Sequence, residues 1–475
     1  MKLVSKHSLL AAAALCLVFG VATGAERNRS TPDEQSSVAL TIYNDDLGLV
    51  KDVRTISLPR GVVDLWFEGV AARIDPTSVH IRSLDAPDDL SVLEQNFEYD
   101  LISPERLMEK YVGKTMQLVR FIDNKEDRIE AKLLGTNSGY VYEIDGKIAI
   151  NPWGRVELPS LPEGLISEPS LVWMLRNERD KHTIEASYLT GGISWKANYV
   201  VVLAANDRNL DLTGWVTIDN HSGATYKNAT LKLVAGDVNR VYPQAVGRMA
   251  TVAMSAQKVG DRAAGFQEES FFEYHLYTLG RKATVKDNQT KQISLLEASD
   301  IGVEKTFVYA PQYNYFFSRM TGVDKNTKVG VYLGLENSKR NGLGMPLPKG
   351  IVRVYKKDND GALQFIGEDQ IDHTPEDEKL RIRMGNAFDI VAERTQTDFT
   401  VLSSGHLYRS SFKVQIRNHK EEDITVSVIE LMSGDWEIER NSHGFEKEAS
   451  HRARFDIPVE AKGSTDLTYT VLIRY

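Results

Sequence analysis

Residues 191–237 read GGISWKANYVVVLAANDRNLDLTGWVTIDNHSGATYKNATLKLVAGD. The stretch predicts three successive β-strands joined by two tight connections, because apolar and polar residues alternate between clusters of turn-forming residues. It carries Trp195 and Trp215, two of the six tryptophans. A strand tryptophan is usually a core residue with its N–H satisfied. An aromatic platform for sugar rings is the competing reading of both.

The same pattern extends outward on both sides. Towards the N-terminus, Leu49–Leu58 and Val62–Phe67 alternate across the turn Pro59-Arg60-Gly61. Ser103-Pro104-Glu105 opens the clearest helix, which Gly113 can end, with Leu107, Met108 and Tyr111 as its apolar stripe. Four short strands follow between Thr115 and Asn151. The segment 103–151 therefore predicts a small SH3-like or Sm-like barrel, structural rather than RNA-binding, since it lacks a basic and aromatic surface. Prolines 152, 159, 162 and 169 mark a junction. Towards the C-terminus, strands recur to Tyr475. Three of them end at asparagine: Asn220, Asn337 and Asn418. They point either to related immunoglobulin-like sandwiches or to the ordinary use of Asn at strand ends.

The expected fold class is all-β: several antiparallel β-sandwich or immunoglobulin-like domains plus the small barrel-like segment with one short helix. The expected order along the chain is a signal peptide at 1–25 and a disordered lead-in at 26–37. An N-terminal β domain at 38–165 follows, then a central sandwich at 166–310 with a long Ala-rich loop at 238–266, and a C-terminal sandwich at 311–475.

Met1–Ala25 has a basic start at Lys2 and Lys6, an apolar run Leu9–Val21, and small residues at Thr23-Gly24-Ala25. That is the pattern of a cleaved Sec-type signal, and the apolar run is too short to span a membrane. No transmembrane segment is expected after cleavage. The one cysteine, Cys16, lies within this leader, so the mature chain is expected to hold no disulfide. A periplasmic or secreted protein of a Gram-negative bacterium fits best. A formal charge of −9 gives no general attraction to phosphate, so nucleic acid is not an expected partner.

Catalytic signatures are missing. There is no His-Glu-x-x-His, no Gly-x-Ser-x-Gly, no P-loop and no Rossmann glycine pattern, and the ten histidines are scattered. No cofactor or metal is expected. Asp358-Asn359-Asp360-Gly361 reads as a hairpin turn rather than a calcium loop. The most site-like stretch is Gln267–Tyr277, which follows the long loop. Read as one extended strand, it places Glu269, Phe271, Glu273 and His275 on one face and Glu268, Ser270, Phe272 and Tyr274 on the other. Glu273 and His275 then suit acid–base chemistry. An edge strand with a solvated acidic face is the alternative. Binding candidates are thus Glu269, Glu273, Tyr274, His275, Trp195 and Trp215.

Several motifs in one order carry a family resemblance. They are Ile193–Tyr199, Gly214–Asn220, Leu231–Asn239, Phe272–Tyr277, Leu343–Gly350, Phe365–Asp369 and Gly385–Ile390. Together they resemble the bacterial domain of unknown function 4139 over residues 171–475, in its exported form. The domain also occurs at the C-terminus of mucoidy inhibitor proteins, behind a long helical segment that this chain does not carry. The resemblance implies no activity and supplies no catalytic residue. The expected function is that of an exported, non-enzymatic β-rich protein binding a protein or cell-envelope partner. An envelope hydrolase acting on glycan or peptide, and a carbohydrate-binding protein, are the alternatives.

Overall fold

A computed structural model describes residues 28–475 except 123, 124, 237, 240–265, 312–315, 317, 321–326 and 404. The expected signal peptide and nearly all of the expected loop 238–266 lie outside the described residues. Among the described residues, strands hold 66% and helices 5%, so the fold is all-β, with sandwich-like sheets. Among the described residues no helix is long and apolar enough to cross a membrane.

Contacts divide the chain into two compact units, each assembled from separated pieces. Among the described residues, the first takes those up to 35 together with those in 54–70 and 81–185; the second takes those in 36–53, 71–80 and 186–475. The strands Gly48–Ser57 and Lys181–Thr190 contribute to both.

In the first unit, one sheet runs in the order Asn28–Ser30, Gly61–Glu68, Ser170–Asn177, Leu90–Glu98. Residues 28–34, expected as part of a disordered lead-in, are ordered: Asn28–Ser30 pairs in parallel with Leu65–Phe67, and Pro32–Glu34 forms a 3-10 turn. The alternation of Gly61–Glu68 puts Leu65 and Phe67 inside. Phe67 meets the edge of Trp173 at 5.7 Å between centroids, and Trp173 donates its indole N–H to Gln95 Oε1. The guanidinium of buried Arg54 lies 3.6 Å from the Phe67 ring centroid.

A second sheet in this unit is an antiparallel meander, Lys147–Ile150, Val141–Ile144, Lys125–Gly135, Thr115–Ile122, Arg155–Glu157. It covers the helix Pro104–Lys110, which Ser103 caps by accepting from the Arg106 N–H. Met108 and Tyr111 from the helix end pack with Met116, Leu118, Leu133 and Tyr142. The sheet does not close into a barrel: its terminal strands, Lys147–Ile150 and Arg155–Glu157, are not paired to each other.

In the second unit, Ile193–Leu203 and Asn209–Asn220 pair antiparallel from Ile193↔Asn220 to Leu203↔Leu210. The third strand of the 191–237 stretch departs from a simple meander. Tyr226–Ala235 crosses to another sheet, where it pairs in parallel with Gln35–Tyr43 and antiparallel with Tyr274–Leu279. The two layers share a core: Trp195 of Ile193–Leu203 is buried and donates its indole N–H to Val234 O of Tyr226–Ala235. Ile193–Leu203 also pairs in parallel with Gly350–Lys357, about 150 residues on. A nine-stranded sheet contains the 26-residue strand Glu378–Ser403, whose first half pairs with Lys328–Asn337 and whose second half pairs with Leu407–Asn418.

Candidate functional site

The stretch Gln267–Tyr277 is a β-hairpin. Phe266–Phe271 and Tyr274–Leu279 pair antiparallel, with Glu268↔Tyr277, Ser270↔His275 and Phe271↔Tyr274 in register. The expectation of a single strand is corrected, and its face assignment with it. Phe272 and Glu273 form the two-residue turn, so Glu273 is not the partner of His275. Residues opposite one another in an antiparallel pair share a face. Glu268, Ser270, His275 and Tyr277 therefore line one side.

The partner of His275 is Glu268, with Nδ1 2.7 Å from Oε1. This diagonal cross-strand pair is only partly buried. The carboxylate fixes the ring orientation and leaves Nε2 as the free nitrogen. Ser270, directly across from His275, makes no side-chain hydrogen bond among the described residues. Sequence reading missed Glu268 because the pairing depends on where the chain turns. The turn carries no Gly, Asn or Asp to announce it.

Phe272 instead takes the left-handed conformation at φ 57°. A bulky aromatic there is uncommon, and backbone of this kind persists only where its surroundings enforce it. Phe272 is 82% exposed and Phe271 56% exposed. Glu269 and Glu273 flank them, both exposed and without an ion pair among the described residues. The tip thus presents two aromatic rings in an acidic surround. Tyr274 braces it from behind: its ring is 6.1 Å from that of Phe272, and it lies on Gly236. Gly236 has φ 134°, and a Cβ there would come within 2.5 Å of Tyr274 Cδ1, so this close approach requires glycine.

The tryptophans lie away from the hairpin tip. Trp195 is buried, donates its indole N–H to Val234 O at 3.1 Å, and meets Tyr277 at 6.2 Å between centroids. Trp215 is half-buried, opposite Asn198 and Ser294. The structure brings Glu269, Glu273, Tyr274 and His275 together in the hairpin and leaves Trp215 on another sheet.

No protein-family model matches the chain, and no curated protein does either.

Two open grooves occur away from the hairpin. One, of about 380 Å³, is lined by Glu304, Glu336, Arg340, Asn341 and Lys379 among others. The other, of about 370 Å³, includes Gln117, Glu130 and Glu157. Neither includes Glu268 or His275. Among the described residues no group of histidines and carboxylates is arranged to hold a metal ion. The Asp358 carboxylate is engaged by its own turn, accepting from the N–H groups of Asp360 and Ala362 and from Gln364 Nε2.

Proposed function

We propose that this is an exported, non-enzymatic β-rich protein that binds a protein partner in the cell envelope, and that the Phe266–Leu279 hairpin makes the contact. The observation carrying this reading is the tip, where Phe271 and Phe272 are solvent-exposed and Phe272 is held in a left-handed turn. Exposed aromatics on a rigid element are the usual anchors of protein recognition, because they bury large area with little loss of side-chain freedom. The acidic surround favours a partner pocket with a basic rim. The leader at 1–25 and the resemblance to the exported form of the domain of unknown function 4139 support the envelope setting.

The hydrolase reading retains one observation in its favour, the Glu268–His275 pair. Co-sedimentation with native envelope fractions separates the two. F271S/F272S should reduce retention at least about tenfold, on the scale of losing two aromatic anchors, with unchanged thermal melting. H275N should leave retention intact. Undiminished retention of F271S/F272S would refute the hairpin contact. Hydrolysis of envelope peptide or glycan that disappears in both E268Q and H275N would install the enzymatic reading instead.

A further inference from the structure

The strand Lys147–Ile150 ends its sheet, and among the described residues nothing pairs with its outer side. Several other edge strands are protected. Arg155–Glu157 carries an ion pair, Asp435–Asn441 and Glu446–Ala449 are rich in charge, and Leu90–Glu98 has a register shift opposite Met174/Leu175. Such features discourage edge-to-edge pairing. Lys147–Ile150 has instead two β-branched residues facing water: Ile148 is 71% exposed and Ile150 72%.

The direction of its backbone groups follows from the turn. Asp145 and Gly146 both have positive φ, which makes the connection to Val141–Ile144 a two-residue hairpin. The residues closing such a turn, Ile144 and Lys147, exchange hydrogen bonds, and so does every second pair beyond them. The Asn151 N–H donating to Tyr140 O at 2.8 Å fits this alternation. Ile148 and Ile150 therefore turn their N–H and C=O groups away from the hairpin, towards the open edge. Their side chains lie on the face opposite Tyr142 and Ala149, and so away from the core.

We infer that this edge pairs with the same edge of a second copy, in an antiparallel two-fold dimer centred on Ala149. The strand is self-complementary in that register. Ile148 of each copy stands opposite Ile150 of the other, and the outward N–H and C=O groups of both residues form four backbone hydrogen bonds. A closed two-fold contact requires this kind of self-match. Lys147 falls opposite Asn151, so no like charges meet. Asn151, with φ 46°, and then Pro152 end the pairing. The contact is small, which places the dimer among weak ones with a Kd on the order of micromolar.

Sedimentation equilibrium of the full chain tests this. The wild type should pass from monomer to dimer over a range on the order of 1–100 µM. I148K/I150K sets lysines opposite each other at both pairs and should raise Kd at least about tenfold. I148K/I150E sets lysine opposite glutamate and should restore dimerisation. All three should share one melting profile, since both side chains face solvent. A wild type that stays monomeric overturns the inference and leaves the edge to an extended segment of another protein. A dimer that survives I148K/I150K overturns it, and failure of I148K/I150E to rescue overturns the register.

Discussion

Arg394 and Glu430 face each other with no solvent access to either side chain. The guanidinium donates from Nε to Oε1 at 2.8 Å and from Nη2 to Oε2 at 3.1 Å. Nη2 also donates to Tyr469 Oη at 3.2 Å, and the Phe412 ring centroid lies 3.8 Å from Cζ. Fork geometry on both sides satisfies the two charges together, so neither is tolerable alone. E430Q or R394M should destabilise the second unit by about 3–5 kcal/mol. R394M/E430L should recover much of that loss. Urea unfolding followed by Trp fluorescence reads both. A double variant no more stable than the single ones would mean that the pair is more than a matched set of charges.

Buried asparagines close the ends of strands. Asn337 donates from Nδ2 to Met345 O and Pro375 O and accepts the Gly344 N–H. Asn418 donates to Glu422 O and Glu460 O and accepts the Lys420 N–H. Asn220 does the same with Ala224 O, Lys286 O and the Ser222 N–H. Each amide satisfies backbone groups that water does not reach. N337A should therefore be destabilising by about 3 kcal/mol, through stranded carbonyls rather than lost packing. N418D should be worse than N418A at neutral pH, since a carboxylate cannot donate to those carbonyls. Chemical denaturation of the four proteins, wild type included, orders them.

Alkaline pH should destabilise the second unit. Burial pushes the Tyr226 hydroxyl up to about 12, against the ordinary 10.0, and burial raises Tyr199 further. Between these limits the folded chain keeps a phenol proton that the unfolded chain releases. Stability present below pH 10 is thus lost as pH rises towards 12. Y226F should flatten the fall of unfolding free energy across that window. An unchanged slope would show that Tyr226 ionises as readily in the folded chain.

At the acid end, Asp85 is the group to watch. The Thr183 N–H and then the Ser83 hydroxyl hold its carboxyl down at about 2, below the ordinary 3.8. The folded state favours the anion, so its contribution is present above pH 3.8 and fades as pH falls to about 2. D85N should remove that part of the acid sensitivity. Because the carboxylate is solvent-exposed the effect should be small, and a loss as large as that of N337A would contradict this account.

Gly236 couples the hairpin tip to the sheet behind it. G236A places a methyl group against Tyr274 and forces a left-handed backbone on alanine. The variant should lose about 1–2 kcal/mol and also weaken envelope retention, because the brace behind Phe272 shifts. Y274A should weaken retention without the backbone penalty. Retention unaffected by both would mean that the tip needs no brace.

Strand alternation made the all-β class legible, since half-buried strands write their period directly into the chain. The helix over Pro104–Lys110 was equally legible, because Ser103, Pro104 and an apolar stripe are local signals. Asn220, Asn337 and Asn418 stood out as strand ends, but their role did not, because the carbonyls they serve come from distant segments.

The hairpin shows the limit most clearly. Its residues were visible as a cluster, yet the turn at Phe272-Glu273 lacks turn-forming types, so the alternation was carried one strand too far and Glu268 was set on the wrong face. Arg394 and Glu430 gave no signal at all, being 36 residues apart in ordinary alternating strands. By itself the sequence determined which residues alternate, where the helix starts and what residues 1–25 resemble, because those are matters of neighbours along the chain. Tertiary structure alone decided that Tyr226–Ala235 leaves its sheet, that Ile193–Leu203 lies beside Gly350–Lys357, and which carboxylate meets His275. Strand pairing is a contact between segments whose backbones are chemically alike, so local pattern cannot choose among partners; packing of the whole core does.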